Sequence, residues 1–173
     1  MLKYFCEPTY YKLDTPKTLL KAHELALESL EIKKSLDHGL TKIWVTCNIL
    51  AKVSDKQGNF NDAKNYRRLA RKTRIEFPGT RYELKQYSKL IITIAKAVND
   101  PIMQSMLMPQ LEVLIQRWPY LIPAIYEIFS GERTKEILLE PLGWEEAPII
   151  TAILEGIERP ESLEWFEQDC TEG

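Results

Sequence analysis

The side chains of this chain that could do chemistry are few and far apart. There are two histidines, His23 and His38, and three cysteines, Cys6, Cys47 and Cys170. His23 falls on the apolar arc Leu19, Ala22, Ala26, Leu30 of a helix, where a hydrogen-bonded core histidine is expected. His38 stands beside Gly39 at that helix's expected end, where a protonated imidazole would complement the C-terminal dipole. Neither belongs to an HExxH or carboxylate-x-His pattern, so a zinc ion would lack a ligand set. The cysteines are odd in number and form no CxxC pair, which fits a reducing compartment better than a disulfide framework. Cys47 lies in a buried stripe and reads as a small hydrophobe. Glu145, Glu146, Glu155 and Glu158 could be imagined as an acid/base set. First-turn and surface roles are expected of them instead, because nothing nearby in the sequence would raise a carboxyl pKa. Neither a Walker-type loop nor a Gly-x-Gly-x-x-Gly turn is present to cradle phosphate. The expectation is a protein without catalytic residues, metal or cofactor, and so no enzyme.

Charge is distributed unevenly. Residues 140–173 hold ten acidic side chains against the single base Arg159, and the other 139 residues carry a net +7. Lys64, Arg67, Arg68, Arg71, Lys72 and Arg74 are expected to project opposite the Ala63/Tyr66/Ala70 stripe, and Lys85, Lys89 and Lys96 to share a face of the next helix. A solvated outer face is the usual fate of such charge. Arginine forks also suit phosphate, so nucleic acid is an alternative partner. Against it stand few exposed aromatics for stacking and a pI near 5.8. A third reading lets the acidic tail fold back on this face, or meet it on a neighbouring molecule.

The elements that must position these groups read as helices throughout. The chain has 173 residues, 45% apolar and 28% charged, a globular composition long enough for a real core. Thr15-Pro16 opens a helix reaching about Asp37, with Gly39 as its stop. A second runs from near Thr41 to Gln57-Gly58-Asn59 with the stripe Trp44, Cys47, Leu50, Ala51. A third starts behind Asn61 and ends at Pro78-Gly79, with Ala63, Tyr66, Ala70, Thr73 and Phe77 inward. A fourth carries Leu84, Tyr87, Leu90, Ile91, Ile94 and Val98. The fifth, from Pro101 to about Arg117, places Met103, Leu107, Leu111 and Leu114 on one side, and Pro109 should kink or split it. Ile102, Met103, Met106, Leu107 and Met108 form an adaptable apolar cluster, read first as core and second as a partner-helix contact. LIPAIYEIF follows, closed by Gly131, and 132–139, 144–156 and 160–168 read as short helices. Alternation never persists long enough for a strand. The fold class is all-α with about eight or nine helices. Residues 1–14 are an irregular lead-in and 15–173 one domain, with long helix pairs to 117 and short helices with an acidic tail beyond.

Helix starts near 41, 61, 81 and 101 make pairs recur at roughly 40 residues, in the range of helical repeats. Gly58, Phe60 and Ala63 fall at the turn and second-helix start of such a unit, and Ala70 follows seven residues later. Small side chains there let helix backbones approach, while Gly58 accepts the turn dihedrals. Over about 42–77 this resembles one degenerate tetratricopeptide repeat, with Leu50 and Ala51 at the first helix's Leu and small positions. It departs from the pattern at Arg67, where the family's aromatic would stand, with Tyr66 one place earlier, and at Pro78, about one turn late. The resemblance implies antiparallel pairs stacked as a right-handed superhelix that binds a partner protein or peptide in a groove. It makes Val45, Asn48, Lys52 and Asp55 groove-facing, with Asn48 fixing peptide backbone and Lys52 a carboxylate. An adaptor domain is the leading expectation. The alternatives are a nucleic-acid binder using the basic face of residues 64–96, and a homo-oligomer burying the apolar segments of 118–157, with Trp118 and Trp144, against a second copy. The start of the chain lacks the apolar run of a secretory leader and no stretch is long enough for a bilayer span, so a cytoplasmic protein is expected.

Overall fold

The computed structural model describes residues 15–36 and 41–168, and all regular structure among them is helical. The expectations for the 1–14 lead-in, for Cys6 and Cys170, and for His38 and the Gly39 stop lie outside the described residues. The chain divides into two compact units, Met1–Thr73 and Arg74–Gly173.

Unit 1 holds α1 (Pro16–Ser35), α2 (Ile43–Lys56) and the body of α3 (Phe60–Glu76). The Thr15 hydroxyl accepts from the Thr18 N–H, and the Thr18 hydroxyl accepts from the Thr15 N–H in return. With Pro16 at the first helical position, this is the start expected from the sequence. α1 and α2 are antiparallel. At one end the Lys33 ammonium donates to Thr46 Oγ1 (2.8 Å) and the Thr41 hydroxyl to the Lys33 carbonyl (3.3 Å). At the other, Leu19 and Ala22 pack with Val53 and Ile49. Gly58 turns the chain into α3 at φ +78°, where a Cβ would be strained. The inner faces alternate small and large side chains: Ala22, Ala26, Cys47, Ala51, Ala63 and Ala70 are buried beside Leu30, Ile43, Trp44 and Leu50.

Unit 2 begins inside the last turn of α3. The expected fourth helix is three pieces rather than one: α4 (Thr80–Glu83), a 3-10 turn (Leu84–Tyr87) and α5 (Ser88–Ala97). The tighter winding stacks residues three apart, which brings buried Leu84 into line with half-buried Tyr87. The Ser88 hydroxyl, donating to the Lys85 carbonyl (2.7 Å), restarts the α-helix. Asp100 caps α6 (Pro101–Leu114) through Oδ1, which accepts from the N–H groups of Ile102 and Met103. Pro109 does not split α6. It sits on an exposed side, where water can satisfy the carbonyl that loses its donor, and the Gln110 side-chain amide donates to the Met106 carbonyl (3.3 Å). α7 (Leu121–Phe129), α8 (Lys135–Leu139), α9 (Ala147–Glu158), a second 3-10 turn (Pro160–Leu163) and α10 (Glu164–Glu167) complete the unit. Its core joins Ile91 and Ile94 of α5, Leu121, Ile122, Ile125 and Ile128 of α7, and Ile149, Ile150 and Ile153 of α9. Burying each of these stabilises by about 1.5–3 kcal/mol. α9 comes so close to its neighbours that a Cβ at Gly156 would lie 2.4 Å from Leu163 Cδ2 and 3.3 Å from the Ala95 methyl.

Candidate functional site

α2 is buried on all sides but one. Ile43, Trp44, Thr46, Cys47, Leu50, Ala51, Val53 and Ser54 are inside. The remaining strip carries Val45 and Lys52, which are exposed, and Asn48 and Asp55, which are half-buried. The four residues expected to line a groove therefore share one accessible stripe, three and four positions apart, together with Ile49 and Lys56. Asp55 is ion-paired with Arg67 of α3, so one end of the stripe is a carboxylate–guanidinium pair rather than a free acid.

The basic face is smaller than the sequence suggested. Lys64, Arg67, Arg68, Lys72 and Lys89 are exposed, but Arg71 is only 5% and Arg74 only 7% accessible. The expectation that all six bases of α3 project outward is corrected for these two. Position 74 lies eleven residues, three helical turns, after Ala63 and so falls on the alanine side rather than opposite it. The Arg74 guanidinium pairs with Glu83 and lies over the Trp144 ring at 5.8 Å. Lys85 is half-buried with its ammonium 4.9 Å from the centre of the Trp165 ring, which Arg81 also covers at 4.6 Å. This stack is absent from the sequence reading, since the two cations and the ring are 80 residues apart. Of the acidic tail, Glu167 reaches the Lys96 ammonium at 2.8 Å. Tail and α5 meet there within unit 2.

The other candidates for chemistry stay apart. Cys47 is fully buried, and desolvation pushes its thiol up to about 11, with Lys34 and Lys33 opposing. Burial lowers the Lys33 ammonium and raises the Tyr66 phenol, the latter with help from Asp62. His23 is half-buried and meets the Tyr66 ring edge-on at 6.5 Å. The hydrogen bond expected for it is not found among the described residues. Glu146 is buried, and its Oε2 accepts from the Gly143 N–H (2.9 Å) in the turn ahead of α9, so it holds that turn rather than taking the first-turn or surface role expected. Glu155 and Glu158 lie near the opposite end of α9, about 13–18 Å along the axis, so the four glutamates do not converge. Among the described residues no three His, Cys, Asp or Glu side chains are grouped to hold a metal ion, and no helix is long and apolar enough to cross a membrane.

Two apolar expectations change. Within the methionine cluster Ile102 and Met106 are 74% and 67% exposed, and Val113 further along is 80% exposed. With exposed Pro109 they form a stripe at spacings of four, three and four, so Ile102 and Met106 of the cluster are not core, while Leu107 packs against it. Of the side expected inward, Leu111 is buried and Leu107 and Met103 are half-buried, but Leu114 is exposed. Conversely, most isoleucines and leucines of 121–153 belong to unit 2's own core, with Trp118 and Trp144 half-buried and Ile137 57% exposed. No family model, curated protein or solved structure matches the chain.

Proposed function

We propose that this chain is a non-enzymatic adaptor domain that binds a partner protein, with the accessible stripe of α2 as its recognition surface. The observation that carries the reading is that stripe. A helix otherwise surrounded by its own unit exposes one line of side chains, and that line pairs an amide, Asn48, with a cation, Lys52, beside apolar Val45. An amide can hold a peptide unit by two hydrogen bonds, a lysine can meet a carboxylate, and a valine excludes water between them. In this proposal α2 and α3 are one degenerate tetratricopeptide-like pair, and α2 is the groove-lining helix of a short right-handed superhelix. The buried Ala63 and Ala70 and the left-handed Gly58 support that assignment, because small residues permit close helix approach.

The test is photo-crosslinking from an unnatural residue at position 45, in extracts of cells that make the protein. Half of each extract is treated with nuclease. A discrete protein should be captured in both halves and should disappear when Lys52→Glu is added, with the helical circular dichroism unchanged. Undiminished capture by the Lys52→Glu chain, or capture only without nuclease, would overturn the reading.

A further inference from the structure

Unit 2 contains a pocket of about 420 Å³ between the residues that follow α3 and those at the end of α9, a volume in the range of small-molecule sites. Its floor is apolar: Leu84, Ala152, Phe166 and Pro148 are buried there. Two buried threonines, Thr80 and Thr151, also line it. Their hydroxyls donate to the carbonyls of Arg74 (2.6 Å) and Ala147 (2.9 Å), so neither proton is offered to the pocket. The rim carries two carboxylates, Glu76 and Glu155, and two guanidinium groups, Arg81 and Arg159.

Glu155 and Arg159 are not spent on one another. Glu155 and Arg159 form no ion pair among the described residues, although they are four apart in the order that favours one on a helix. Arg159 has left the helix, at φ −134° and ψ 85°, which carries its side chain out of register with Glu155. Arg81 is held over the Trp165 ring rather than by a carboxylate. An apolar floor under separated, balanced charges selects against several ligands. A phosphate would face the Glu155 carboxylate, and a hydrocarbon would strip water from charged groups without replacing it.

We propose that this pocket binds a small zwitterion of the free amino acid class, with an apolar side chain on the floor formed by Leu84, Ala152 and Phe166. Arg159 receives the ligand carboxylate through its planar fork, and Glu155 receives the ammonium. This site is independent of the α2 stripe and uses none of its residues.

The experiment is a ¹H–¹⁵N NMR titration of the full chain with L-leucine and with L-phenylalanine, to about 10 mM, since a site with exposed charges is expected to bind in the millimolar range. Saturable shifts should appear for amides of residues 75–84 and 148–166. N-acetyl-L-phenylalanine and L-phenylalaninamide, each lacking one charge, should bind at least about tenfold more weakly. Glu155→Gln and Arg159→Gln should each produce a similar loss while leaving the rest of the spectrum in place. Absence of saturable shifts with both amino acids, or equal binding of the capped compounds, would overturn the proposal.

Discussion

The two units solve the same packing problem with different side chains. Unit 1 mixes five buried alanines and Cys47 with larger buried side chains, Trp44 and Leu50 among them, and buries Thr46, Ser54 and Arg71 alongside. Unit 2 fills its interior with branched residues, nine isoleucines and leucines from α5, α7 and α9 among them. A core of small residues fixes the distance between backbones and has no room to give. A core of large ones stores its stability in buried methylenes. The two should therefore fail in opposite ways, unit 1 on enlargement and unit 2 on truncation.

The largest effect is expected from truncation. Ile150→Ala removes a fully buried side chain and should cost about 2–5 kcal/mol, read as a lower urea midpoint for unit 2 probes. The matching enlargement, Ala63→Leu in unit 1, should cost about 1–3 kcal/mol by overpacking. If Ala63→Leu is neutral while Ala70→Leu is too, the α3 face is not closely packed and the contrast between the units falls.

A smaller effect is electrostatic and confined to unit 1. The Cys47 thiol is held up to about 11 against an ordinary 9.0, so the folded state keeps a proton that the unfolded chain gives up. Stability from this group is whole below pH 9 and declines as pH rises from 9 towards 11, with a slope below the ~1.4 kcal/mol per pH unit of a full proton. Lys33, lowered from 10.5 by burial, works the other way: the folded state releases its proton first, so its contribution grows as pH approaches 10.5. Urea titrations at several pH values should show a flatter or rising alkaline limb in Cys47→Ala. An unchanged limb would place the thiol in contact with water.

The smallest effect belongs to unit 2's surface. Glu132 Oε1 accepts from the N–H groups of Arg133 and Thr134 (2.8 and 2.7 Å) ahead of α8, and those bonds lower its pKa from the usual 4.5. The stabilisation is present above that value and lost as pH falls through the lower folded one. Carbon-detected NMR should show Glu132 titrating below 4.5; a value at or above 4.5 would mean that the bonds are not kept in solution.

Much of the helical order was legible because its signals are local. Thr15-Pro16 and Asp100-Pro101 cap helices where their chemistry says they should, and LIPAIYEIF is α7 residue for residue. The accessible stripe of α2 coincides with the residues that the repeat resemblance implied, and eight buried residues leave it as a single outward line. α6 shows where such reading stops. Its apolar residues populate two faces one position apart, 103/107/111/114 and 102/106/109/113, and periodicity cannot rank two apolar faces of one helix.

By itself, then, the sequence determined that the chain is helical and where most helices begin and end, because capping and 3.6-residue periodicity act over a few neighbouring positions. Tertiary structure alone decided that α6 shows Ile102, Met106 and Val113 to water, that Arg71 is buried, and that Trp165 lies under Arg81 and Lys85. It also gathered Glu76, Arg81, Glu155 and Arg159 around one pocket. Each of these depends on which segments distant in sequence pack together, and burial is a property of the packed whole rather than of any local pattern.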